Sequence, residues 1–81
     1  MSSTEIMSRL NQVFQKVFED NGLIVNENTT ARDVENWDSL NHLELILSVE
    51  EEFGIKFSLG ELQDMKNVGM LAQSIEAKTT A

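Results

Sequence analysis

Ser39 stands where a chain of irregular character becomes an apolar, acid-rich helical run: Glu35-Asn36-Trp37-Asp38-Ser39-Leu40-Asn41-His42-Leu43-Glu44-Leu45-Ile46-Leu47. The first turn of a helix has backbone N–H groups with no intrahelical acceptor, and such an end favours an anion. A phosphate ester on the Ser39 hydroxyl would sit where the backbone already prefers negative charge. The same stretch holds other reactive residue types. Asp38, Ser39 and His42 include the residue types of a hydrolytic triad, and residues three apart are neighbours on a helix. A working triad also needs an acid on the far side of the imidazole and an oxyanion hole. One helical turn supplies neither, and no Gly-x-Ser-x-Gly elbow is present. Glu50-Glu51-Glu52 and Asp20-Asn21-Gly22 are the candidate cation ligands, but the spacing of a calcium loop is not met. No catalytic residue and no dedicated metal site are expected.

Four helical segments have to position Ser39. Over residues 4–19, Ile6, Met7, Leu10, Val13, Phe14, Val17 and Phe18 recur at three- and four-residue spacing, which predicts an amphipathic helix. Ser2 and Glu5 have the spacing of a capping box, and Asn21-Gly22 is the natural stop. Residues 23–37 have no sustained period and predict a long loop, anchored by Val34 and Trp37. Leu23-Ile24-Val25 resembles a strand but has no partner strand. The second helix is predicted over 39–53, with Asp38 as N-cap and Gly54 as terminator. Its apolar arc of Leu43, Leu45, Ile46, Val49 and Phe53 predicts a central helix packed by several neighbours. Leu40, Glu44, Leu47 and Glu51 form a separate stripe, suited to a partner rather than to a core. Glu50 falls awkwardly toward the apolar arc. Ser58 and Glu61 predict a short helix to about Asp64, and Asn67 caps a last one with Val68, Leu71, Ala72 and Ile75 inward. Residues 77–81 are expected to fray. The expected fold is all-α: a small four-helix bundle of three main helices and one short one, with the long loop between the first two.

Composition narrows the function. A chain of 81 residues makes one small domain, with its ordered core over about 4–77. It has no cysteine, hence no disulfide and no thiol nucleophile of its own, and its lack of proline suits helices. The N-terminus has no secretory pattern and no segment is long and apolar enough to span a bilayer, so a cytoplasmic protein is expected. Fourteen acids against six bases give a net charge of −8. That charge disfavours nucleic acid and anionic membranes and favours basic protein surfaces. Residues 35–52 contain Glu35, Asp38, Glu44, Glu50, Glu51 and Glu52 and neither lysine nor arginine, so the negative field is concentrated beside Ser39.

Asp38-Ser39-Leu40, followed by Leu43-Glu44-Leu45 and then Glu51-Glu52-Phe53-Gly54-Ile55, resembles the acyl carrier protein family. The likeness in element order runs over roughly residues 4–77. It implies that Ser39 carries a 4′-phosphopantetheine arm taken from coenzyme A, whose thiol holds acyl or aminoacyl groups as thioesters. It implies that Asp38 and Leu40 are read by a phosphopantetheinyl transferase. Glu44, Leu47, Glu50 and Glu51 would meet basic patches on loading enzymes and downstream transferases. Leu43, Ile46 and Phe53 would line the core and a pocket for the acyl chain. The implied working form is a monomer. Primary fatty acid synthesis carriers often have small residues before Asp-Ser-Leu and an acid after it. Asn36-Trp37 and Asn41-His42 stand there instead, and Trp-Asp-Ser-Leu is more similar to carriers of specialised pathways within the broad range of fatty acid and polyketide biosynthesis. The alternative from the residues alone is an acidic helical adaptor that binds a basic partner and is never modified.

Overall fold

The computed structural model describes residues 2–63, 65 and 67–79, and these form four helices: α1 (Ser3–Val17), α2 (Ser39–Phe53), α3 (Leu59–Gln63) and α4 (Val68–Thr79). The all-α fold with three main helices, one short helix and a long first loop is as the periodicities require. α1 buries Ile6, Leu10, Val13 and Phe14, α2 buries Leu45, Ile46, Val49 and Phe53, and α4 buries Val68, Leu71 and Ile75. α1, rather than α2, is the shared wall of the core, since the principal helix contacts are α1 with α2 and α1 with α4. Leu43 corrects the broad apolar arc: it is 55% exposed and lies outside the core. Leu40, Leu43 and Leu47 of α2 face solvent.

The helix ends follow local chemistry. Ser2 Oγ accepts from Glu5 N–H at 3.2 Å, and the Ser58–Glu61 box is reciprocal, at 3.0 and 3.3 Å. Gly54 stops α2 at φ 65, with Ile55 N–H donating to the Glu50 carbonyl at 3.1 Å. α1 does not run to Asn21-Gly22. It ends at Val17, and Glu19 takes the left-handed conformation at φ 51. Glu19 N–H then bonds the Lys16 carbonyl and Asp20 N–H the Gln15 carbonyl, the paired bonds of a Schellman turn. α3 ends at Gln63, and the expected boundary at Asp64 lies outside the described residues. Ala77, Lys78 and Thr79 are helical rather than frayed; residues 80 and 81 lie outside the described ones. Lys78 sits 3.0 Å from Glu61 and 5.5 Å from the Phe57 ring centre, which ties the last turn of α4 to the cap of α3.

The long loop is held by single groups, not by a sheet. The side-chain amide of Asn11 takes the place of a partner strand for Val25: Oδ1 accepts from Val25 N–H at 2.7 Å and Nδ2 donates to its carbonyl at 3.2 Å. Gln15 Nε2 donates to the Leu23 carbonyl at 3.0 Å. Further on, the loop caps α4. Val68 N–H donates to the Thr29 carbonyl at 2.8 Å and Gly69 N–H to the Glu27 carbonyl at 2.9 Å. Asn67 Oδ1 accepts from Met70 N–H at 2.8 Å. The unsatisfied donors of one helix end thereby satisfy carbonyls of the loop. The approach is close enough that a Cβ at Gly69 would meet the Glu27 oxygen at 2.8 Å. Val25, Val34 and Trp37 are buried, so the loop also closes one side of the core as expected of Val34 and Trp37.

Asn11→Ala would strand both backbone groups of Val25 away from full hydration. The expected loss is about 2 kcal/mol of stability, a fall in Tm of roughly 10 °C for a domain of this size. Thermal melts followed by circular dichroism check it. A Tm equal to the wild type would show that the amide bridge carries no weight.

Candidate functional site

Asp38 positions Ser39. Its Oδ1 accepts from Asn41 N–H at 2.9 Å and its backbone is extended (φ −107, ψ −174), so it is the N-cap and Ser39 is the first helical residue. The entry turn before it is tight. Asn36 has φ 71, a conformation asparagine tolerates. Its carbonyl accepts from Asp38 N–H at 3.0 Å and from the Asn41 side chain. Ser39 is exposed, and no described residue hydrogen-bonds its hydroxyl.

The residues expected of a triad do other work. Asp38 faces Asn41, not His42. His42 Nδ1 accepts from Trp37 Nε1 at 3.0 Å, so its lone pair is committed to the indole rather than to Ser39. Burial lowers the His42 pKa from its ordinary value, and the Leu62 backbone carbonyl opposes that shift by attracting the ring proton. Glu61 of α3 is also held below its ordinary value, first by the Ser58 backbone N–H and then by Lys78.

A depression of about 400 Å³ opens beside Ser39, lined by Ala31, Trp37, Asp38, Ser39, His42, Leu62 and Met65. Leu43, Ile46 and Phe53 do not line it. Ile46 and Phe53 are core residues, at 3% and 9% exposure, and Leu43 points outward. Leu62 lies in α3 and Met65 follows it, and nothing in their spacing marked them. The pairing of Trp37 with His42 was readable, since they hold the two positions that flank a helix start in a staple. A larger cleft, about 810 Å³, lies between α1, the long loop and α4, and includes none of the residues around Ser39.

Along α2 the acid run divides. Leu40 and Leu47 are 76% and 65% exposed, and Glu44 and Glu51 are exposed with them, so the expected stripe faces solvent and Leu43 joins it. Glu50 does not belong to that face. It is half-buried, and its Oε2 accepts from Phe57 N–H at 2.8 Å, which fastens the connector after α2. Glu52 lies 3.8 Å from Arg9 of α1. The three consecutive glutamates therefore serve three different surroundings.

An exposed, unengaged hydroxyl on a capped helix start, with a half-apolar depression beside it, has room and polarity for a phosphate ester and a flexible arm. A family model described as a phosphopantetheine attachment site matches residues 37–75. The acyl carrier protein of Thermosynechococcus vestitus is 32% identical over 82 residues, covering the whole of both chains. The solution structure of holo acyl carrier protein from Geobacter metallireducens superposes with a TM-score of 0.85 at 44% identity, over 90% of this chain and 84% of that one. The chain belongs to the acyl carrier protein family, carriers rather than catalysts, whose cofactor is phosphopantetheine.

Proposed function

We propose that Ser39 is the residue that bears 4′-phosphopantetheine, and that the protein delivers acyl or aminoacyl groups held as thioesters on the arm. The observation that carries this reading is the exposed Ser39 hydroxyl at the first turn of α2, inside the segment matched by the attachment-site model. The working sulfur comes with the arm, since the chain has none in cysteine. Asp38 and Leu40 flank the hydroxyl for a phosphopantetheinyl transferase. The depression lined by Trp37, His42, Leu62 and Met65 is the nearest seat for the arm.

Leu40, Leu43, Glu44, Leu47 and Glu51 make a face of exposed leucines among acids, suited to loading enzymes and downstream transferases with basic docking patches. The protein works as a monomeric single domain in the cytoplasm, and no described helix is long and apolar enough to cross a membrane. Trp37 before Asp38-Ser39-Leu40 and His42 after it support service in a specialised biosynthetic pathway rather than in primary fatty acid synthesis.

Incubation with coenzyme A and a broad-specificity transferase should add one phosphopantetheine to the wild type and none to Ser39→Ala, read by intact mass. A folded wild type that accepts no arm from several transferases would favour an unmodified adaptor.

Glu44→Lys and Glu51→Lys should slow partner turnover on the order of fivefold at low salt and lose that effect at high salt, with Tm unchanged. Glu50→Ala should do the reverse, costing about 1 kcal/mol of stability through the orphaned Phe57 N–H. Rates unchanged from the wild type for both lysine variants at low salt would remove α2 as the docking face.

A further inference from the structure

Trp37 and His42 lie on either side of Ser39 in the chain, and the fold joins them across it. With Asp38 as cap, Trp37 is the residue before the cap and His42 the fourth residue of α2. Apolar side chains at those two positions often pack together and set the angle at which a chain enters a helix. Here the join is a hydrogen bond, Trp37 Nε1 to His42 Nδ1 at 3.0 Å, with ring centres 6.0 Å apart. An indole N–H can only donate, so the nitrogen facing it carries no proton and the ring proton sits on the other nitrogen. The Leu62 carbonyl attracts that proton. Behind the indole, Phe14 meets it edge-on at 5.2 Å and Phe18 lies at 6.4 Å. One hydrogen bond therefore links the α1 core to the first turn of α2 around Ser39, with Leu62 of α3 lining the same depression.

We propose that His42 is a positioning residue: in its neutral form it holds Trp37 and fixes the Ser39 turn for the transferase, and uptake of one proton breaks that hold. This role rests on the reading of Ser39 as the attachment residue. The step is a simple protonation. Solvent supplies the proton, an Nδ1–H bond forms, and the Trp37 N–H then faces a donor and loses its acceptor. Burial favours the neutral ring, so the contribution of the bond is complete above the ordinary histidine pKa and is lost as pH falls below it. Among the described residues, Asp38 is the one ionisable side chain that shares the depression with His42. α1 and its C-cap residue present Phe14 and Phe18 behind the indole, and Glu61, next to Leu62, is engaged by Ser58 and Lys78. A phosphodiester on Ser39, one turn from His42, would add a negative charge nearby and raise the proton affinity of the ring.

The full chain contains one tryptophan and no tyrosine, so its emission reports Trp37 alone. His42→Asn keeps an oxygen acceptor near the place of Nδ1 and cannot titrate, whereas His42→Leu removes the acceptor. Wild-type emission should step between about pH 8 and about pH 5, and His42→Asn should show no step. Transferase rates with coenzyme A are then compared as the ratio of wild type to His42→Asn, which cancels the pH profile of the enzyme. That ratio should be near one at the alkaline end and fall about fivefold at the acid end, the worth of one net hydrogen bond. His42→Leu should be slow throughout; if it fails to fold, the asparagine comparison decides. A featureless wild-type emission, or an emission step that His42→Asn shares, overturns the proposal. An emission step with a pH-independent ratio overturns the positioning role alone. A step with no modification of any variant overturns that role together with Ser39 as attachment residue.

Discussion

Between Phe18 and Asp38 the chain runs with no helix or strand of its own, yet backbone donors and acceptors there must be satisfied wherever water is excluded. Everything around Ser39 depends on how that requirement is met. The helices meet it with individual groups: Asn11 and Gln15 from α1, and the open N-terminus of α4. Each bond does two things, since an orphan group on one element completes an orphan group on another. The loop is drawn flat over α1 and α4, and its far end delivers Trp37 into the core against Phe14.

Trp37 then transmits core order to Ser39. One residue, Asp38, separates the buried indole from an exposed hydroxyl, and the entry turn is held by Asn36 in a left-handed conformation and by the Asp38 cap. A carrier needs this contrast. On the proposed reading, the Ser39 oxygen must be reachable by large enzymes while its helix stays in register. Exposure is therefore concentrated on Ser39, Leu40, Leu43 and Leu47, with burial one helix face away at Leu45, Ile46 and Val49. The electrostatics follow the same division. Glu44 and Glu51 face solvent beside the leucines, whereas Glu50 and Glu52 are turned to Phe57 and Arg9.

Much of this was readable from residue types. The 3.6-residue period located α1, α2 and α4, because each buries a stripe against the same core. Capping chemistry placed the start of α2 at Ser39 and its end at Gly54, since those signals act within one turn. Asn21-Gly22 misled for a related reason. Both residues suit a left-handed stop, but Glu19 reaches that conformation earlier, where Phe18 can turn back toward the Phe14 ring at 5.8 Å. Leu43 misled because a helical wheel gives angles but not the position of the neighbours, whereas Glu50 is half-buried, in line with its place toward the apolar arc on the wheel. With α1 as the main wall, Leu43 is left outside and Glu50 reaches the connector.

The sequence by itself determined the helices, the acidic face and the chemistry available at Ser39, because periodicity, charge and caps are local properties of the chain. Only the tertiary structure decided which long-range groups met. Asn11 with Val25, Glu27 with Gly69 and His42 with Leu62 are separated in the chain and carry no shared signal. Their pairing follows from where the helices lie once the core is packed, and that packing is a property of all the buried side chains together.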